Sequence, residues 1–229
     1  MPYVSEKYEF IYLATPATGG SATLQAFNDW EMGFFVPEEP IFSESGELLY
    51  DAKHGGLPLF IELGLMKPEW EDYLLICGIR NPFTFHLNQY ERAKYRLKQL
   101  EKTDSHFFKM YSEEERDEKR RMYEDIASSN FKDYMINKFA GKKNVMLHSK
   151  FHEGADFVIH QETLDDDIEQ LKKTIDLPSD FSVGEKGVTP GGRNTLEKCL
   201  NYYDEELIEL VYTLNKPFFE KFPEYESAL

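Results

Sequence analysis

Apolar and polar positions along this 229-residue chain change period from segment to segment, and the changes mark the elements. Residues 8–14, YEFIYLA, alternate and are β-rich, and predict a buried strand. Ser21 to Trp30 predicts a helix, with Ser21 near its start and Gly33 after its end. Residues 34–52 carry Pro37, Pro40 and Gly46 and predict an irregular loop or hairpin. Residues 57–64 predict a short helix ended by Gly64, and YLLICGI, residues 73–79, a second apolar strand. Pro82 suits a first helical turn and opens a long helix to about Leu100. Residues 112–139 look helical, with Glu115 and Lys119 paired four residues apart. NVMLH, residues 144–148, and DFVIH, residues 156–160, are short strands. Leu164, Ile168, Leu171 and Ile175 recur at helical spacing within 162–175, and acids at its start suit the helix dipole. A Gly-rich polar segment, FSVGEKGVTPGGRNTLEK, precedes a last helix over Asp204 to Phe222. Strands alternating with helices predict one α/β domain spanning 1–229, with a mostly parallel central sheet flanked by helices.

Composition narrows the classes. Hydrophobic residues make up 41% and aromatics 15% of the chain, enough for a sizeable core. The N-terminus lacks a basic region followed by an apolar run, and no stretch approaches the ~18 apolar residues of a membrane span. The expectation is a soluble, cytoplasmic protein. A net charge of −16 and a pI near 4.8 disfavour nucleic acid and anionic membranes as partners. They leave room for a small anion in a locally basic pocket. Cys77 and Cys199 are too far apart in sequence for a metal or disulfide pattern, and read as core residues.

Two stretches carry candidate chemistry. In ATPATGGS, residues 14–21, a strand enters a Gly turn and then a helix. Backbone N–H groups and the helix dipole make such a turn an anion site, and Thr18, Ser21 and Thr23 add hydroxyls. The loop alone fits equally a tight connection with no ligand. It is no nucleoside-triphosphate P-loop, because Gly20 stands at the lysine position and Ala14 at the first glycine. The second stretch, ICGIRNPFTFHLNQY, puts Arg80 just past a strand, where open α/β sheets bind ligands. Its fork suits phosphate.

Together the two stretches resemble the sulfotransferases that use 3′-phosphoadenosine 5′-phosphosulfate (PAPS), and most closely their carbohydrate-type branch. PATGGSA is similar to that family's PKTGGTS, and IRNPFTFHLNQY to VRNPYDRLVSAY. DAKHGGLPLFIELG, Asp51 to Gly64, resembles the KHxTA segment. DFVIHQETLDDDIEQLKKTIDLP and YYDEELIELVYTLNKPFFEKF resemble two later patterns, in the same order. Residues 98–145 match poorly. The resemblance implies a P-loop nucleotide-hydrolase-like core and no metal. It implies that the 5′-phosphosulfate lies on Thr18, Gly19, Gly20, Ser21, Ala22 and Thr23. Arg80 would bind the 3′-phosphate, with Asn88 at the position of a family serine. His54 matches the KHxTA histidine and is the candidate general base; Glu62 is a weaker candidate. The acceptor would be a hydroxyl on a carbohydrate or small molecule, and adenosine 3′,5′-bisphosphate the product.

The chain departs from that pattern at three cations. Ala17 stands at the first-loop lysine, Phe85 at an arginine of the second motif and His160 at the arginine of RFENL. Lys53, Lys150, Lys186 and Arg193 are candidate replacements, with Arg193 placed in a stretch similar to a loop that covers the cofactor. Two other functions stay open: a nucleotide-binding protein with lost or weak catalysis, and a P-loop kinase, which the missing P-loop lysine argues against. His148, His152 and His160 surround Glu153, but a strand–turn–strand gives them no metal-binding face.

Overall fold

The structure is a computed structural model that describes residues 2–50, 56–103, 105–109, 111–142, 149–184 and 195–228. In chain order the elements are β1 (Pro2–Ser5), β2 (Phe10–Leu13), α1 (Gly20–Asp29), β3 (Phe34–Phe35), β4 (Ile41–Phe42), β5 (Leu48–Tyr50), α2 (Leu57–Glu62), β6 (Leu74–Ile79), α3 (Pro82–Leu100), α4 (His106–Lys109), α5 (Glu113–Ser128), α6 (Phe131–Phe139), α7 (Ser149–His152), β7 (Phe157–His160), α8 (Leu164–Thr174), α9 (Leu196–Leu200), α10 (Glu205–Leu214) and α11 (Lys216–Lys221). The fold is α/β. Contacts divide the chain into two compact units, Met1–Arg80 with His148–Gly187, and Asn81–Leu147 with Val188–Leu229.

The first unit is built on a five-stranded sheet in the order β3-β1-β2-β6-β7. β2 pairs parallel with β6, and β6 with β7, while β1 runs antiparallel to both β2 and β3. The sheet is therefore mixed, not mostly parallel. The reason is local: residues 6–9 form a tight turn, and so short a connection can only return the chain antiparallel. A separate β4–β5 hairpin fills part of 34–52.

One face of the sheet carries an aromatic core. Tyr3, Phe10, Tyr12, Ile76 and Ile159 from the strands meet Ala26 and Phe27 of α1 and Leu164, Ile168 and Leu171 of α8. Phe27 is its hub, wholly buried and with ring centroids 4.9 Å from Phe10, 5.5 Å from Tyr12 and 5.5 Å from Phe181. The alternation of strand residues thus places the core face against two amphipathic helices.

The second unit is helical. Asn81 caps α3 by accepting from the Phe83 amide at 2.8 Å, and Pro82 takes the first helical position. Ala93 and Leu100 of α3 pack with Tyr123 of α5. The helical stretch expected over 112–139 forms two helices. Ser112 and Glu115 form a capping box at the start of α5, and Asn130 restarts the chain as α6 by accepting from the Asp133 amide at 2.9 Å. The last helix is likewise two, because Pro217 lacks the N–H that a continuous helix needs. The strand expected at 144–148 and most of the Gly-rich segment, 185–194, lie outside the described residues.

Candidate functional site

In the first unit the C-terminal ends of the parallel strands β2, β6 and β7 meet at one edge of the sheet. Open α/β sheets bind ligands at that edge. β2 runs into the turn Ala14–Gly19 and then α1, as the alternation predicted. Thr18 Oγ1 donates to Thr15 O at 2.9 Å, which folds the turn back on itself. Gly19 caps α1 in the left-handed region, with φ 80°, and offers no side chain to the helix end. Ala22 N and Thr23 N donate to Gly19 O at 2.8 and 3.2 Å. The Gly20 and Ser21 amides find no acceptor among the described residues. They are the two donors that the helix start leaves open to an anion.

Two close approaches fix the turn. A Cβ on Gly78 of β6 would lie 2.5 Å from Thr18 Oγ1, so only glycine lets the turn rest on the strand. A Cβ on Gly19 would lie 2.5 Å from Gln161 Oε1, and the positive φ independently favours glycine there. Arg80 follows β6, is 8% exposed, and donates from Nη1 to Ala17 O at 3.2 Å. Ala17 itself sits in the left-handed region, with φ 63°. Arg80 is thus seated on the turn where the sequence placed it, with part of its donor fork already used.

The hydroxyls divide differently from expectation. Thr18 spends its proton on Thr15 O and is 1% exposed. Thr23 is wholly buried beside Tyr12, whose hydroxyl is pushed well up by burial, with the Thr23 side chain working against that shift. Ser21 is exposed at the helix start and is the hydroxyl available to a ligand.

The segment after β7 and α8 contribute two residues that sequence reasoning did not put in this role. Gln161 lays its amide against Gly19. Asp167 of α8 accepts from the His160 amide at 2.6 Å, meets His160 Nδ1 at 2.9 Å, and accepts from Thr163 Oγ1 at 3.3 Å. The rule that selected Arg80, a polar residue just past a strand, also selects Gln161. Nothing in the sequence marks Asp167, because its partner is set by how α8 packs on β7.

Of the remaining candidates only two have described side chains. Asn88 lies on α3 in the second unit, half-buried. Glu62 is exposed on α2. His54 and Lys53 fall in 51–55, and Arg193 and Lys186 in 185–194, all outside the described residues, as is the side chain of Lys150. Among the described residues, no group of three or more His, Cys, Asp or Glu is placed to hold a metal ion. No helix among them is long and apolar enough to cross a membrane.

A cleft of about 720 Å³ opens at the opposite, N-terminal ends of β2, β6 and β7. Glu9, Glu71, Asp72 and Asp156 line it against a single Lys7. Desolvation first, then the carboxylates of Glu6, Glu9 and Glu69, hold the Tyr73 hydroxyl above its ordinary value. Such a lining repels anions, so the turn after β2, not this cleft, is the anion candidate. Comparison with known proteins finds no match to any family model, any curated protein or any solved structure.

Proposed function

We propose that this chain transfers a sulfuryl group from PAPS to a hydroxyl of a carbohydrate or small alcohol. The observation that carries the reading is the turn after β2: open amides at Gly20 and Ser21, with Arg80 seated on the same turn. In this reading the 5′-phosphosulfate rests on those amides and the Ser21 hydroxyl, and Arg80 pairs with the 3′-phosphate. The acceptor oxygen forms the new S–O bond while the bond from sulfur to the 5′-phosphate oxygen breaks. His54 takes the acceptor proton. Little covalent work falls to the protein, so positioning and charge stabilisation dominate.

A second reading is favoured by Ala17. It stands where the resembled family has a lysine, and a missing cation costs several kcal/mol of transition-state stabilisation. The chain would then bind the nucleotide without efficient transfer. Thermal unfolding with adenosine 3′,5′-bisphosphate, against AMP, ADP and ATP, tests the shared part of both readings. Ligand at 100 times its Kd stabilises by about 2.7 kcal/mol. A rise selective for the bisphosphate is expected, and equal or absent responses refute both. Sulfur-labelled PAPS with an acceptor panel then separates enzyme from binder.

A further inference from the structure

The second unit carries a cationic cluster that sulfuryl transfer does not use. On α6, Lys138 Nζ donates to Tyr134 Oη, one turn away, at 2.9 Å. Lys142 follows in the turn that ends the helix, its amide donating to Phe139 O at 3.0 Å. Both ammonium groups stand over the Phe139 ring, 5.4 and 5.7 Å from its centroid. His86 of α3 meets the same ring edge-on, at 4.9 Å between centroids.

The chain has 42 acidic residues against 26 basic, and some lysines of this unit take carboxylate partners, while Lys94 donates to the Tyr90 hydroxyl. Lys132 pairs with Asp204 and Glu206, and Lys198 with Glu91. Lys138 and Lys142 pair with no carboxylate among the described residues. Burial, and then the neighbouring Lys142, lower Lys138 to about 8. Burial pushes the Tyr134 hydroxyl up to about 12, so it keeps its proton near neutral pH. Its oxygen already accepts from Lys138, which leaves that proton to donate elsewhere. Two cations and a hydroxyl donor lie about the Phe139 ring with no carboxylate partner among the described residues, a set complementary to an oxoanion.

We propose that Tyr134, Lys138 and Lys142 form an oxoanion site that takes a phosphate or sulfate group, built from residues of the second unit alone. A bound dianion relieves the repulsion between the lysines, so it raises the proton affinity of Lys138, and protonation strengthens binding in return. The titratable groups facing Lys138 are Tyr134 and Lys142 on its own segment and His86 across the Phe139 ring. With Lys138 near 8, affinity falls about tenfold between pH 7 and pH 9.

The test is an NMR titration of the full chain labelled with ¹³C-lysine, from pH 6 to 11, in chloride with and without inorganic phosphate or sulfate. The expected result is a Lys138 midpoint raised by a unit or more in either oxoanion, an effect lost in K142M. An unchanged midpoint overturns the proposal. Calorimetry adds a second readout. K138M, whose side chain fills the same apolar slot, should lose at least tenfold in phosphate affinity yet keep the response to adenosine 3′,5′-bisphosphate. Wild-type phosphate affinity in K138M, or loss of both responses together, refutes a separate site. Methyl phosphate binding as well as inorganic phosphate assigns the site to a group carried on a larger molecule; binding of the inorganic ion alone assigns it to the free ion.

Discussion

Gly78→Ala probes the contact on which the shape of the candidate anion-binding turn depends. Gly78 lies inside β6, where an alanine meets no backbone strain, so the whole cost comes from what its Cβ touches. That Cβ would stand 2.5 Å from Thr18 Oγ1 and 3.1 Å from Thr18 Cβ. Thr18 cannot simply turn away: its hydroxyl is bonded to Thr15 O, and a β-branched side chain has few rotamers. The turn must lift from the strand, at about 1–3 kcal/mol for overpacking of this kind. Thr18→Ala alone loses one hydrogen bond, about 1 kcal/mol. Independent effects would sum to about 3 kcal/mol, taking the middle of each range. In the double variant the clashing hydroxyl is gone, and the remaining contact asks for a shift of a few tenths of an ångström. The double variant should therefore lose only about 1–1.5 kcal/mol, a coupling of more than ~1 kcal/mol. Urea unfolding of the four proteins measures it, with constant m-values as the check on two-state behaviour. Additivity within ~0.5 kcal/mol would show that the turn does not rest on β6 through Thr18.

Arg80→Ala should weaken binding of 3′-phosphorylated nucleotides by on the order of a hundredfold, as for truncating one partner of a buried charge pair; equal weakening of AMP, read by calorimetry, would undo the 3′-phosphate assignment. Ala17→Lys keeps a side chain at a position already in the left-handed region, so it adds no backbone strain, and turnover of PAPS should rise if the missing cation limits the rate. No gain would point to another cation in that role. Phe27→Ala, which empties the hub of the sheet core, should cost about 3–5 kcal/mol in urea unfolding; a loss under 1 kcal/mol would deny that packing. Lys138 titrates lower in the folded chain, about 8 against an ordinary 10.5, so the unfolded chain binds more protons between those values and stability rises with pH across that window. Lys138→Met should flatten that rise, and an unchanged slope would place the desolvation elsewhere.

The pattern of apolar residues located most elements. β1 was not singled out as a strand, and it partners β2 through the turn at 6–9. Its antiparallel pairing is what turns a parallel sheet into a mixed one. The breaks at Asn130 and Pro217 were written in residue chemistry, a cap and a missing donor, but a run of helix-compatible residues on both sides masked them. At the candidate site, the places of Gly19 and Gly20 at a helix start and of Arg80 past a strand were legible, because each follows from a rule about strand ends and helix starts. The bond from the Thr18 hydroxyl to Thr15 O was not legible, since only the fold brings the two together. Asp167 was invisible because its bond to His160 spans two elements brought together by packing.

The bond from Arg80 to Ala17 O also bears on how this turn dispenses with a lysine. A lysine in such a turn places a mobile point charge at the ligand and does little to shape the turn. Here a planar fork, largely buried at the end of β6, is anchored on the turn's own backbone. The shape of the turn is then held by Thr18, Gly78 and Arg80, none of which needs a charge at position 17. In the proposed reading, anion binding and transition-state stabilisation therefore separate. The Gly20 and Ser21 amides and Arg80 suffice for the first, and only the second depends on a further cation. That separation predicts an asymmetry: Ala17→Lys should change turnover more than bisphosphate affinity, and Arg80→Ala the reverse. Parallel losses and gains in both quantities would mean that the two roles are carried by one set of groups.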